Sequence, residues 1–240
     1  MDDRKKEFMA VLESIKPSKN AYEVFSDWLV LAASTLYAWK NDRRVENEYK
    51  ETAKNYSKEE MDKHAQLLDV TVNALEEKEG DFLGEIFIAG EFSNNKKAQI
   101  FTPFHISRVM SEMMIGDKKL PENDVFKVCD PCCGSGVLLA AAISVMKERG
   151  FNYQQNAYFT GIDIDARCAR MAYIQLSLLG APAVIICGNT LTRETFWEME
   201  TLSYYMAGMN FRLRNSKGTE KPEEPKIISS SDGGVQGELF

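Results

Sequence analysis

The segment from Val125 to Gly136, Val-Phe-Lys-Val-Cys-Asp-Pro-Cys-Cys-Gly-Ser-Gly, constrains the fold more than any other part of the chain. A short β-branched and aromatic run ends on Asp130, enters a Gly-rich turn and opens into the apolar stretch Val137 to Met146. That order predicts a strand, a tight loop and a helix N-terminus, the ligand-binding corner of an α/β fold with parallel strands. The glycines let the backbone turn sharply and approach a ligand where a Cβ would collide. Asp130, at the carboxyl end of the strand, brings a negative charge to the same crevice. A dinucleotide fingerprint would carry a third glycine where Leu139 stands. The loop therefore suits a small ligand bearing a cation better than a pyrophosphate. S-adenosylmethionine, with its ammonium and sulfonium, is the candidate.

Two more strands follow the same plan. Ala157-Tyr-Phe-Thr-Gly-Ile-Asp163-Ile-Asp165 reads as a strand ending in acids, one βαβ unit downstream, and an acid there can accept both ribose hydroxyls of an adenosine. Alanine-rich helical sequence runs from Ala166 to Leu179. Ala183-Val-Ile-Ile-Cys187 is a third buried strand ending in Gly188-Asn189-Thr190-Leu191, where Asn189 can read the amino edge of an adenine. Each strand thus delivers a polar residue at its carboxyl end, where open α/β sheets bind ligands. Right-handed crossovers give the spatial order third, second, first. The far edge of the first strand is then left open, to be covered by Tyr204 to Leu213 or by an interface.

The set Phe101-Thr102-Pro103, Asp130-Pro-Cys-Cys-Gly-Ser-Gly136, Gly161-Ile-Asp163 and Gly188-Asn189-Thr-Leu191 resembles the adenine-N6 DNA methyltransferases. Within them it is similar to the modification subunits of type I restriction systems and to small methylase-like proteins of mobile elements. The resemblance covers roughly Gly80 to Leu191. It implies an α/β, partial Rossmann-like S-adenosylmethionine-binding methyltransferase fold, with a truncated, mostly parallel sheet behind a helical N-terminal region. By the same resemblance, Phe101 and Thr102 border the methionine part of the cofactor. Asp130, Pro131, Cys132 and the loop Gly134, Ser135, Gly136 lie beneath it. Asp163 holds the ribose and Asn189 the adenine, with Ile164 also in the cofactor site.

One family feature is missing. Family members carry Asn/Asp-Pro-Pro-Tyr/Phe after the third strand, which accepts hydrogen bonds from the flipped adenine's amino group and stacks on the base. No two of the seven prolines here are adjacent, and the corresponding stretch reads Thr201-Leu-Ser-Tyr-Tyr-Met-Ala-Gly-Met-Asn210. Catalytic residues are therefore unassigned. Tyr204 and Tyr205 are outside candidates for base stacking. Methyl transfer to DNA would need an altered base pocket, or one completed by a partner. The alternative is a cofactor-binding scaffold or regulator recruited to DNA machinery.

The remaining sequence bounds the setting. Hydrophobic residues at 44% and charged residues at 27% are ordinary for a globular protein. No apolar run approaches a membrane span and the N-terminus has no apolar signal core, so a cytoplasmic location is expected. Five cysteines suit a reducing compartment. Cys129, Cys132 and Cys133 lack the second pair that a zinc site needs, and no metal is expected. A net charge of −7 and a pI near 5.1 predict weak DNA binding by the chain alone. Lys96-Lys97, Lys118-Lys119 and Arg212 with Arg214 are the only basic patches, and a partner is expected to supply most of the DNA contact.

Three regions are expected: helical 1–92, cofactor-binding 93–214, and a tail 215–240 too poor in apolar residues to order itself. In the first, Tyr22, Phe25, Trp28, Leu29, Ala32, Leu36 and Tyr37 form one apolar helix face with Asn20 as N-cap. Ser57-Lys-Glu-Glu60 is a capping box before a stripe of Met61, Ala65, Leu68, Val72 and Leu75, with His64 beside it as a structural histidine. Thr102 is expected to cap the next helix, with Pro103 in its first turn. The tail closes on Gln236-Gly-Glu-Leu239-Phe240, similar to the peptides by which bacterial replication proteins grip the sliding clamp. Leu239 and Phe240 would fill an apolar pocket while Gln236 hydrogen-bonds at its rim.

Overall fold

A computed structural model describes residues 3–16, 18–90, 92, 102–116 and 125–215. Phe101, Lys96, Lys97, Lys118, Lys119 and the segment carrying Gln236, Leu239 and Phe240 lie outside the described residues. Among the described residues five α-helices come first: α1 (Asp3–Ile15), α2 (Ala21–Tyr37), followed by a 3-10 turn at Ala38–Lys40, α3 (Arg43–Ala53), α4 (Lys58–Glu77) and α5 (Phe82–Ala89). After α6 (Phe104–Ile115) the chain alternates: β1 (Phe126–Asp130), α7 (Val137–Glu148), α8 (Tyr153–Asn156), β2 (Ala157–Asp163), α9 (Ala166–Leu178), β3 (Ala183–Asn189). It ends in β4 (Glu194–Glu200), α10 (Leu202–Met206) and α11 (Met209–Asn215).

The local signals in the helical region act as read. The Asn20 side chain accepts from the Tyr22 amide at 2.9 Å and so starts α2, whose Phe25, Trp28 and Leu29 are fully buried. Ser57 and Glu60 form the reciprocal capping box of α4. The buried face of α4 is rotated from the expected stripe: His64, Leu67, Val70, Thr71, Ala74 and Leu75 are inside, while Ala65 is exposed. The reason is that α4 packs against α1, α2 and α5 together, which widens and turns its apolar face. His64 lies on that face, edge-on to Tyr56 with ring centroids 4.5 Å apart, and its carbonyl accepts from the Trp28 indole at 3.1 Å. Burial pushes its pKa down to about 4, so the imidazole is neutral at physiological pH and structural in role.

The sheet has the order β1-β2-β3-β4. β1, β2 and β3 are parallel, with Val128 opposite Phe159 and Gly161 opposite Ile185. This is the expected order, extended by one strand. β4 turns back after Asn189 and pairs antiparallel with β3, Ile185 facing Met199. One face of the sheet is covered by α7 and α9, with α2, α4 and α5 packed beyond α9. A continuous hydrophobic core runs from Phe8 and Trp28 through Tyr173 to Phe159 and Ile185, so the helical region and the sheet share one interior.

The second face carries a smaller cluster of Val125, Val184, Tyr204, Ala207 and Met209. Tyr204 to Leu213 thus fold as short helices on this face and not as a strand along the open edge of β1. Among the described residues β1 has a single strand neighbour. The Arg212 guanidinium hydrogen-bonds the Gln155 carbonyl and Asn156 Oδ1, while the Arg214 side chain lies outside the described residues. Among the described residues, no helix is long and apolar enough to cross a membrane, and no His, Cys, Asp or Glu cluster is arranged to hold a metal.

Candidate functional site

The loop after β1 is laced to the end of β2 by its own backbone. Asp130 Oδ1 accepts from the Cys132 amide at 3.1 Å and starts the turn. The Cys133 amide donates to the Ile162 carbonyl at 2.9 Å, and the Gly134 amide donates to Asp163 Oδ2 at 2.8 Å. The other oxygen of Asp163 accepts from the Asp165 amide at 2.8 Å. Gly136, at the start of α7, has φ of 91°, and a Cβ there would lie 3.1 Å from the Ala172 Cβ. A side chain is excluded at Gly136 both by conformation and by the approach of α9. The sequence pattern Gly-Ser-Gly is thereby explained by packing as much as by ligand access.

Above this loop, at the carboxyl ends of β1 and β2, opens a cavity of about 700 Å³. Thr102, Ser107 and Met110 form one wall, Asp130 and Cys132 to Ser135 the floor, and Asp163, Ile164, Asp165 and Cys168 the other wall. Burial raises the pKa of Asp130, and the nearby charge of Asp163 adds to the effect. Asp163 is likewise raised by burial, partly offset by the amides that donate to it. Two half-desolvated carboxyl groups facing one cavity make it a place where a cation is stabilised. Asp165 is set apart from them: it caps α9, accepting from the Arg167 amide at 3.0 Å, and pairs with the Arg167 guanidinium. On the opposite wall the Ser107 hydroxyl is buried without a hydrogen-bond partner.

Of the residues singled out from the sequence, the structure brings Thr102, Asp130, Cys132, Gly134, Ser135, Asp163 and Ile164 together on this cavity. Pro131 and Gly136 belong to the loop without facing the cavity. The Pro131 carbonyl accepts from the Thr190 hydroxyl at 2.5 Å, which ties the β3–β4 turn to the loop. Asn189 stands elsewhere. It lines a small cleft of about 190 Å³ with Ile162, Ile186, Thr190 and Arg193, and its Oδ1 accepts from the Leu191 and Thr192 amides. Thr102 is not a cap: α6 begins one residue later, with Pro103 at the N-cap and no side-chain hydrogen bond there. Sequence reading missed Ser107 and Met110. Their three-residue spacing on α6 was the available signal, since it puts both on one helix face.

Comparison with known proteins adds the lineage. The sequence matches the N-6 DNA methylase family over residues 78–231, more than half of the chain. The chain belongs to that family. Curated protein sequences give no match. A solved structure similar to this N-6 DNA methylase chain is a putative class I S-adenosylmethionine-dependent methyltransferase from Listeria monocytogenes, with 18% identity and a TM-score of 0.38. The alignment covers 76% of this chain and 52% of that one, so the chain spans about half of that protein's length.

For an N-6 DNA methylase, the position of Thr201 to Asn210 matters as much as the cavity. β4 carries the chain back to the amino ends of the strands, where the Thr201 amide donates to the Ala183 carbonyl at 2.9 Å. Tyr204 is buried there against Tyr158, and Tyr205 leans on Trp39 with centroids 5.6 Å apart. Neither ring lines the cavity.

Proposed function

We propose that this N-6 DNA methylase family member binds S-adenosylmethionine in the cavity over Gly134 to Gly136, and that methyl transfer to adenine in DNA uses a base pocket completed by another polypeptide. The observation that carries the first half is the pairing of two buried-shifted acids, Asp130 and Asp163, with an unpartnered buried hydroxyl at Ser107 across one cavity. The volume suits a ligand of this size. Asp130 and Asp163 match the cofactor's cationic and ribose groups. Thr102, Ser107 and the start of α6 match its carboxylate, since helix N-termini favour anions. When bound, the cofactor supplies a methyl group on a sulfonium as the electrophile. The protein's part is to hold that group in a fixed, water-poor orientation, which is where most of the rate advantage of such a transfer arises.

The absent Pro-Pro tetrapeptide supports the partner-completed pocket, as does the routing of residues 201–215 toward the amino ends of the strands. The same two observations fit a second reading equally well, a cofactor-binding scaffold or regulator without transfer. Calorimetry with S-adenosylmethionine and S-adenosylhomocysteine tests binding, and absence of heat with both ligands would end both readings. Tritium transfer from labelled cofactor to adenine-containing DNA, with and without proteins co-purified from the native host, separates them. Incorporation only in the reconstituted mixture supports partner completion, and no incorporation in either supports the scaffold.

The acidic net charge favours DNA contact through a partner, in a cytoplasmic restriction-modification or mobile-element setting. A sliding clamp contact through Gln236, Leu239 and Phe240 is proposed on sequence alone. A labelled peptide spanning residues 229–240 should bind purified clamp, and replacing Leu239 and Phe240 with alanine should abolish the signal.

A further inference from the structure

Behind Ser135, three segments distant in sequence meet in one buried polar cluster. Asp81, the N-cap of α5, is 4% exposed; Gln175 of α9 is 1% and Ser135 of the loop 0%. Asp81 Oδ1 accepts from the Gly84 amide at 3.0 Å and from Gln175 Nε2 at 2.9 Å, while Oδ2 accepts from the Ser135 hydroxyl. Gln175 Nε2 also donates to the Ser135 carbonyl at 2.8 Å, and its Oε1 accepts from the Leu83 amide at 3.1 Å. Every side-chain oxygen and nitrogen of Asp81 and Gln175 has a partner. A Cβ on Gly84 would come within 2.0 Å of Asp81 Oδ2 and 2.6 Å of Ser135 Oγ, so α5 approaches the loop at a distance only glycine permits.

The chemistry is costly for a mere helix cap. Burial raises the pKa of Asp81, which measures how strongly its surroundings resist the charge. A serine at this N-cap would satisfy the Gly84 amide, and apolar side chains would fill the volume at no electrostatic cost. What a carboxyl group adds is a second oxygen directed at the loop, together with the fixed geometry of a fully satisfied network. Ser135 directly follows Gly134, whose amide engages Asp163, so holding Ser135 sets the floor of the cavity.

We infer that Asp81 is a positioning residue for the cofactor loop, acting through Ser135 and Gln175, so that the helical N-terminal layer forms part of the cofactor site. This rests on the cavity being the cofactor seat, and the test separates the two. Hydrogen exchange of the full chain without ligand follows the amides of residues 132–137, and calorimetry follows S-adenosylhomocysteine. Asp81→Ala should speed exchange in that loop by roughly tenfold while peptides of α3 and α4 stay unchanged, and should weaken ligand binding by about tenfold. Asp81→Asn keeps an acceptor for Gly84 and a polar group for Ser135, so it should restore both to within about threefold of wild type.

Exchange that rises uniformly or only within α5, with ligand affinity intact, would overturn the inference, as would failure of Asn to rescue. Should Asp81→Ala fail to fold, Gln175→Leu removes the second strap and is read by the same two measurements. If the wild type binds no S-adenosylhomocysteine, the cofactor reading falls, and the exchange data still decide whether Asp81 holds the loop.

Discussion

At the carboxyl ends of β1 and β2, polar side chains are spent on the backbone: Asp130 and Asp163 accept from the Cys132, Gly134 and Asp165 amides and hold a bent loop open beneath a cavity. In the segment from Glu194 to Asn215, the polar groups secure a retreat instead. Thr201 accepts from the Ala183 amide at 2.9 Å, and the Tyr204 hydroxyl donates to Asn210 Oδ1 at 2.7 Å, both near the amino ends of the strands. The first region is built like half of an active site, while the second packs against the far end of the same sheet. The difference comes from one topological event. A crossover after β3 would return the chain to the amino side through a helix and send a new strand toward the cavity. The hairpin into β4 makes that return as a strand, and the described residues that follow form α10 and α11 on the amino side in place of a new strand rising toward the cavity.

The largest effect expected from perturbing the first region is at Gly136. Valine there must adopt a φ of 91° and push its side chain into Ala172. Gly136→Val should lower stability by about 2–4 kcal/mol and abolish measurable cofactor binding. Thermal unfolding and calorimetry on the same sample check both, and retained binding would mean that the loop is not the cofactor seat. Next in size is Asp163→Ala, which orphans the Gly134 and Asp165 amides and removes the proposed ribose acceptor. Cofactor affinity should fall by about 1–3 kcal/mol, with a smaller drop in the unfolding midpoint. A change in stability with no change in affinity would reduce Asp163 to a structural clamp.

Much of the first region was legible in the sequence because its signals are local. Asp130 answers the Cys132 amide, Asp163 the Asp165 amide and Gly136 its own φ of 91°, each within two residues, and the three parallel strands announce themselves as short β-branched and aromatic runs. β4 was not legible in the same way. Its sequence, Glu-Thr-Phe-Trp-Glu-Met-Glu, alternates only from Trp197 onward, and its turn includes Arg193 at a φ of 59° where glycine or asparagine would have been the usual signal. Asp81 and Gln175 were invisible for another reason. Their partners lie 54 and 40 residues away, and nothing local marks a helix cap that also serves a distant loop.

A third test uses pH. Asp130 and Asp163 have folded-state pKa values above the ordinary carboxylate range, chiefly through burial. The native state therefore keeps protons that the unfolded chain gives up, and these two groups lower stability as pH rises from the unfolded value through the folded one. A cationic ligand needs them ionised, so its affinity should move the opposite way, rising as pH climbs from the ordinary carboxylate range through the raised folded-state values. In Asp130→Asn the Cys132 amide keeps an acceptor while one titration is removed, and the rise should flatten. Calorimetry across that range gives the result directly. A profile unchanged by the substitution would show that Asp130 does not face the ligand's charge.

The smallest effects belong to the second region, and they bear most directly on the contrast with the first. Tyr204→Phe loses one buried hydrogen bond to Asn210 and should cost about 0.5–1.5 kcal/mol of stability. Tyr205 is 62% exposed and among the described aromatic rings touches Trp39, so Tyr205→Ala should change stability by about 0.5 kcal/mol or less. Neither should alter cofactor affinity, because both rings sit at the opposite end of the sheet from Gly134 and Asp163. If a reconstituted mixture methylates DNA, both variants should also transfer at the wild-type rate, since the base would be gripped by the partner. Loss of transfer in Tyr205→Ala with binding of S-adenosylhomocysteine intact would break the comparison. It would mean that residues 201–215 reach the target base after all, and that the hairpin through β4 is rearranged when the partner docks on β1.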